Sequence, residues 1–165
     1  MPTTISGSTG VSKVQDAAVP QAALASGVAG TGPAFRAVGQ AQGVSAAVWT
    51  KINFASETFD TDNAFDLSTD KFQPAVAGYY QIDCIFYAGG AGANELAGVG
   101  IYKNGVLYSV NGVSMTVTGY TPVAVLSDLV YLNGSTDYLE FYGRCTTSTA
   151  FSASTTVAGF LARKA

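Results

Sequence analysis

From Pro33 onward, apolar and polar residues alternate with a period of two through most of the chain. Between Gly78 and Tyr87, Tyr80, Ile82, Cys84 and Phe86 fall on one side and Tyr79, Gln81 and Asp83 on the other. That is the pattern of a strand with one buried face. Tyr138 to Cys145 repeats it, with Leu139, Phe141 and Cys145 set against Tyr138, Glu140, Tyr142 and Arg144. The β-type runs, separated by turn residues, are Ala34 to Val38, Val48 to Phe54, Ala64 to Asp66, Tyr79 to Tyr87, Leu96 to Lys103, Leu107 to Ser114, Thr121 to Tyr131, Tyr138 to Cys145 and Thr155 to Arg163. No helical period occurs, so the pattern predicts an all-β domain of nine or ten strands.

Turn chemistry agrees. Asn104-Gly105 is a hairpin signal, and Asn133-Gly134-Ser135 ends another strand. About ten short antiparallel strands in two sheets of one domain describe a jelly-roll sandwich. Two runs, Val123-Ala124-Val125-Leu126 and Leu129-Val130-Tyr131-Leu132, are apolar on both faces, so their outer side needs a cover as well. Composition points the same way. Apolar residues make up 48% and charged residues only 12% of the 165 positions, about half the charged share usual for a globular domain. The expected cover is other copies of the chain.

Residues 1 to 32 contain no aromatic residue and are rich in Ala, Gly, Ser, Thr and Val. Such a stretch buries too little area to offset its ordering entropy alone. Two readings follow: a disordered leader, or an extended arm that orders against another protein through Ile5, Val11, Val14, Val19, Leu24 and Val28. The domain expectation is therefore an arm over residues 1 to 32 and a head over residues 33 to 165. Glycine spacing in the arm shows neither a collagen repeat nor heptads.

The ordered series Pro33-Ala34-Phe35-Arg36-Ala37, Trp49-Thr50-Lys51-Ile52-Asn53-Phe54, Phe72-Gln73-Pro74, Ala77-Gly78-Tyr79-Tyr80, Ile101-Tyr102-Lys103-Asn104-Gly105, Leu132-Asn133-Gly134, Asp137-Tyr138-Leu139-Glu140-Phe141 and Gly159-Phe160-Leu161 resembles the globular head of complement C1q and its tumour-necrosis-factor-like relatives. The resemblance covers about residues 33 to 163. It implies a ten-stranded jelly roll that forms a homotrimer through one apolar sheet. Tyr79, Tyr102, Phe141, Tyr142 and Phe160 are the candidates for trimer packing. Animal relatives usually follow a signal peptide and a collagen-like stalk, and residues 1 to 32 are expected to be neither; Ile5 to Asp16 resembles short segments near such domains in bacteriophage structural proteins.

Chemistry is scarce. Histidine is absent, which removes Ser-His-Asp and Cys-His nucleophile pairs and His-ligated zinc. Cys84 and Cys145 both lie in apolar strand patterns and are expected to be buried free thiols. The acidic stretch Asp60 to Asp66, with Asp70 beyond, has Phe65 and Lys71 where a calcium loop of the helix-loop-helix type needs Gly and Glu. It reads as a solvated turn. Gly89 to Ala93 lacks the Gly-Lys-Ser/Thr ending of a phosphate loop. No catalytic residue, metal or cofactor is expected.

Net charge is −3, with eight Lys and Arg residues scattered along the chain, so phosphate neutralisation has no supply and nucleic acid is not an expected partner. No apolar run is long enough to span a bilayer, and the N-terminus does not read as a secretory signal, so no membrane partner and synthesis in the cytosol, or cleavage from a longer chain, are expected. Together these features predict a non-enzymatic bacteriophage structural protein at the virion surface, assembled in the host cytoplasm: a homotrimeric capsid decoration or cement protein anchored on coat subunits by its arm. The alternative is a receptor-binding tip of a tail or fibre that meets a host glycan or protein through the stretches Ala88 to Glu95 and Gly112 to Tyr120, with Tyr108, Tyr120, Asn94 and Glu95 as contact candidates. A secreted C1q-like ligand is the more distant alternative.

Overall fold

The computed structural model describes residues 32–89, 94–116, 120–147 and 150–165, and the candidate arm residues Ile5, Val11, Val14, Val19, Leu24 and Val28 lie outside them. Among the described residues there are thirteen strands: β1 (Ala34–Gly39), β2 (Gln42–Gly43), β3 (Thr50–Lys51), β4 (Phe54–Asp60), β5 (Phe65–Asp66), β6 (Lys71–Phe72), β7 (Gly78–Gly89), β8 (Glu95–Lys103), β9 (Val106–Met115), β10 (Val123–Leu132), β11 (Leu139–Cys145), β12 (Ala150–Phe151) and β13 (Thr156–Lys164). They form two antiparallel sheets. In the front sheet β10 and β13 flank β7, β1 follows β13 and β4 follows β1, with β12 and β2 at the far end of β7. In the back sheet β9, β8 and β11 run side by side, and β6 and β3 both pair with β11.

The count exceeds the nine or ten read from sequence because five strands are two residues long, too short to show any period. One predicted strand is divided. Val48 to Phe54 reads as continuous, yet Lys51 pairs with Tyr142 in the back sheet while Phe54 opens a strand that pairs with β1 in the front sheet. Between them Ile52 is buried and donates its N–H to the Phe141 carbonyl at 2.8 Å. The rest of β4, the edge strand beside β1, carries no alternation, and Ala55, Ser56, Thr58 and Phe59 are all exposed.

The alternation in β7 and β11 maps onto burial as the sequence implied: Tyr80, Ile82, Cys84 and Phe86 face the interior, as do Leu139, Phe141 and Cys145. A stack of rings occupies the middle. Phe35 lies 4.2 Å from Phe72 and 5.1 Å from Phe65, centroid to centroid, and Phe54 meets Phe65 and Phe141 edge-on. Phe141, proposed from sequence for trimer packing, is therefore a core residue, enclosed between Phe35 and Phe54. Its position in the inward phase of β11 decides this. A second pair, Phe86 and Phe151, occupies the space over Gly143, where a Cβ would sit 2.4 Å from Phe86 Cε2.

Both cysteines are buried and free, one in each sheet. Burial, with Glu95 nearby, pushes the Cys145 thiol up to about 12, and burial raises that of Cys84 as well. Both thiols are therefore protonated at neutral pH.

The turns rest on local polar bonds. Asn104 and Gly105 both have positive φ, as a two-residue hairpin of type I′ requires. Asn133 Oδ1 accepts the N–H groups of Ser135, Thr136 and Asp137, and a Cβ at Gly134 would strike the Ala77 backbone at 2.4 Å. In the acidic stretch, Asp60 accepts the N–H groups of Asp62 and Phe65, Asp66 accepts that of Ser68, and Asp70 accepts that of Phe54. Its carboxylates serve as turn acceptors, as Asp does in such loops.

One turn gives a pH signature. The Asn104 side-chain bond to Asp137, together with Lys103 at 2.9 Å, holds the Asp137 carboxyl below its ordinary 3.8. A carboxyl depressed in the folded state contributes stability above its unfolded pKa, and that stability is lost as pH falls through the folded value. Asp137→Asn is expected to be less stable than the parent at pH 7, with the gap closing below about pH 4. Denaturant titrations at stepped pH check this; a gap independent of pH would contradict it.

Candidate functional site

The outer side of the front sheet follows from strand register. Residues opposite each other on adjacent strands share a face, and four rows cross the sheet. Tyr131, Tyr79 and Arg163 make the first; Leu129, Gln81, Phe160 and Ala34 the second. Ser127, Asp83, Ala158, Arg36 and Phe59 make the third, and Val125, Ile85, Thr156 and Val38 the fourth. Seven of these residues are large, apolar and exposed: Phe59, Tyr79, Ile85, Val125, Leu129, Tyr131 and Phe160, between 37% and 52% accessible. Tyr79 and Tyr131 pack ring against ring at 5.3 Å. A continuous field of this kind is unusual on a monomer and marks a contact surface.

The neighbouring edge extends it. Val106, Leu107, Tyr108 and Val110 of β9 are exposed as well. Asn111 Nδ2 donates to the Val125 carbonyl at 2.6 Å, joining β9 of the back sheet to β10 of the front sheet. Eleven of the fourteen exposed large apolar residues described thus lie on the front face or on β9.

The residues singled out from sequence divide among several places. Tyr79 and Phe160 stand on the front face, on adjacent strands. Tyr102 and Tyr142 stand on the opposite side, the outer face of the back sheet, with ring centroids 4.0 Å apart. They therefore lie on a different face of the sandwich from Tyr79. Burial, then Glu140 and the neighbouring tyrosines Tyr102 and Tyr138, raises the Tyr142 hydroxyl.

Among the binding candidates, Tyr120 and Asn94 are exposed at the end of the sandwich where β7 finishes and β8 begins. Tyr108 sits near the other end, beside the Asn104-Gly105 hairpin, and in a strand rather than a loop. Glu95 is fully buried, its carboxylate accepting from Thr147 Oγ1 at 2.7 Å, so it is a structural acceptor and not a contact residue. Both stretches begin or end in strand: Ala88 and Gly89 close β7, Glu95 opens β8, and Gly112 to Met115 belong to β9.

Sequence reasoning missed Phe59, Ile85, Val125, Leu129 and Tyr131 as individual members of the face. The signal was present for two stretches, since the runs in β10 are apolar on both sides; it was absent for Phe59, which lies in a polar run.

The back sheet offers a smaller, polar-edged surface. Trp49 lies against Gly98 and Gly100, where added Cβ atoms would come within 3.1 and 3.5 Å of its ring, so its role is packing. Glu140, expected on a mixed face, is buried and paired with Lys51 at 2.9 Å and Lys71 at 3.8 Å. Lys51 also donates to the Thr69 carbonyl, and Lys71 sits 4.0 Å from the centre of the Tyr138 ring. Among the described residues no three His, Cys, Asp or Glu side chains group as a metal site, and no helix is long and apolar enough to cross a membrane.

No protein-family model matches the chain, and no curated protein matches it. Solved structures do. The globular domain of zebrafish complement 1qA protein superposes with a TM-score of 0.59 at 14% identity, covering 81% of this chain and 99% of that one. Murine APRIL crystallised at pH 5.0 gives 0.59 at 12% identity, over 78% of this chain and 97% of that one. A second murine APRIL structure, at pH 8.0, gives 0.58 at 11% identity, over 79% and 98%. The fold is a jelly roll of the C1q and tumour-necrosis-factor type, as the residue series implied.

Proposed function

We propose that this protein is a non-enzymatic structural component of a bacteriophage particle, a homotrimer that decorates the capsid surface and is held there by residues 1 to 32. The observation that carries the reading is the apolar outer face of the front sheet, with seven large exposed residues on a chain of only 12% charged residues. A face of this kind marks a contact surface, and copies of the same chain are the cover that requires no other partner. Assembly leaves three arms on one particle-facing unit. Weak arm contacts then combine through effective concentration, which is the physical basis of a cement.

Deleting residues 1 to 32 is expected to abolish binding to purified capsids while leaving the oligomer intact, read by co-sedimentation and light scattering. Undiminished capsid binding would overturn the cement reading. A second reading, the receptor-binding tip of a tail or fibre, has one observation in its favour: Tyr120 is 67% exposed at an end of the sandwich, where an aromatic ring is available to stack on a host glycan or protein side chain. Free assembled protein would then block infection, and absence of competition at saturating dose would exclude it.

A further inference from the structure

The third row of the front face carries two opposite charges that have no ionic partner among the described residues. Asp83 of β7 and Arg36 of β1 share one cross-strand row, with Ala158 of β13 between them. Two strand spacings separate their backbones, about 10 Å. The ion pairs among the described residues join Lys51 and Lys71 to Glu140 and Lys103 to Asp137. Neither Asp83 nor Arg36 takes part.

Neutral neighbours hold each charge in place. Ser127 Oγ donates to Asp83 Oδ1 at 2.6 Å, and Gln81 Nε2 donates to Ser127 Oγ at 2.8 Å and to the same Oδ1 at 3.3 Å. Arg36 Nη1 donates to Thr58 Oγ1 at 2.7 Å. The bonds to Asp83 converge on one oxygen, and Arg36 uses one of its five N–H groups there, so each side chain keeps capacity for a further partner. Both stand among Phe59, Ile85, Val125, Leu129 and Phe160. Burying an unpaired carboxylate or guanidinium under an apolar cover costs several kcal/mol. Whatever covers this face must therefore bring a cation to Asp83 and an anion to Arg36.

Another copy of the same face brings both. Asp83 lies in the half made by β7 and β10, and Arg36 in the half made by β1 and β4. In a closed ring of copies, each contact sets one half against the other half of the next copy. We propose that Asp83 of one copy pairs with Arg36 of the next, and that this pair fixes the register in which the surrounding apolar residues meet. The inference rests on the proposed assembly through the front face and adds its specificity: apolar contact supplies affinity without direction, and one buried charge pair selects a single alignment.

Charge exchange tests it on the full chain, with stoichiometry read by sedimentation velocity and folding by circular dichroism. Arg36→Asp and Asp83→Arg each place like charges together, and each is expected to raise the dissociation constant at least about 100-fold. The combined R36D/D83R chain restores opposite charges and is expected to recover to within about tenfold of the parent. Arg163, two rows from Asp83 on the same face, is the competing cation. Single exchanges that leave stoichiometry unchanged, or rescue of D83R by R163D instead of R36D, would overturn the pairing while leaving assembly standing. A monomeric parent chain would overturn the assembly itself. Should an exchanged chain fold poorly, R36Q and D83N serve: the doubly neutral chain is expected to assemble no worse than either single, and additive losses would contradict the pair.

Discussion

Replacing Tyr79 and Tyr131 together by glutamate is expected to convert the assembled protein into folded monomers. The two rings pack on each other at 5.3 Å at one end of the front face, and both are exposed in the single chain. Inside a contact they are the type of residue that dominates binding: large, rigid and aromatic, each costing about 2 kcal/mol or more when lost. Two such losses make about 4 kcal/mol per contact, roughly a thousandfold in dissociation constant, before the added repulsion and desolvation of the new carboxylates. Folding should survive, because exposed positions away from the core change stability by only about 0.5 kcal/mol each and the ring pair itself contributes about 1 kcal/mol. Light scattering reports the mass and circular dichroism the fold. A doubly substituted chain with the parent's mass would show that the covering contact lies elsewhere.

Phe35→Ala is expected to cost about 3–5 kcal/mol of folding stability. Phe35 is fully buried at the crossing of the two sheets, stacked on Phe72 and Phe65 and touching Phe141. Removing its ring strips contacts from both sheets at once. The backbone cannot close the space, because β1 is fixed by hydrogen-bonded partners on both sides, β13 and β4. Against a total stability of about 5–15 kcal/mol, such a loss lowers the melting temperature by about 10 °C. Thermal and urea unfolding at equal protein concentration measure it, since the proposed assembly would make apparent stability concentration-dependent. A loss below about 1 kcal/mol would mean that the stack is not the centre of the core.

The long strands were legible because burial writes itself into alternation. In β7 and β11 every second residue must be apolar, and the pattern survives without knowledge of the partner strand. The two-residue strands left no trace, since their pairing depends on what the rest of the fold places beside them: β12, for example, exists only because Ala150 and Phe151 meet Gly89 and Ala88. Phe141 shows that the phase of a strand outweighs residue type. Its aromatic type suggested a contact surface, although the alternation of β11 already set it with Leu139 and Cys145 on the inward side. Glu95 shows the same for a charge. A carboxylate in a Gly- and Ala-rich stretch reads as exposed, while Thr147, 52 positions later, makes its burial tolerable.

By itself the sequence determined the all-β class, the hairpin turns, the inward faces of the long strands and the need for an external cover on β10, because each of these follows from local propensity, φ preference and periodicity. Tertiary structure alone decided which exposed apolar residues share one face. Rows such as Ser127-Asp83-Ala158-Arg36-Phe59 gather residues from five strands that lie far apart along the chain. Their meeting depends on long-range register, which no local pattern encodes.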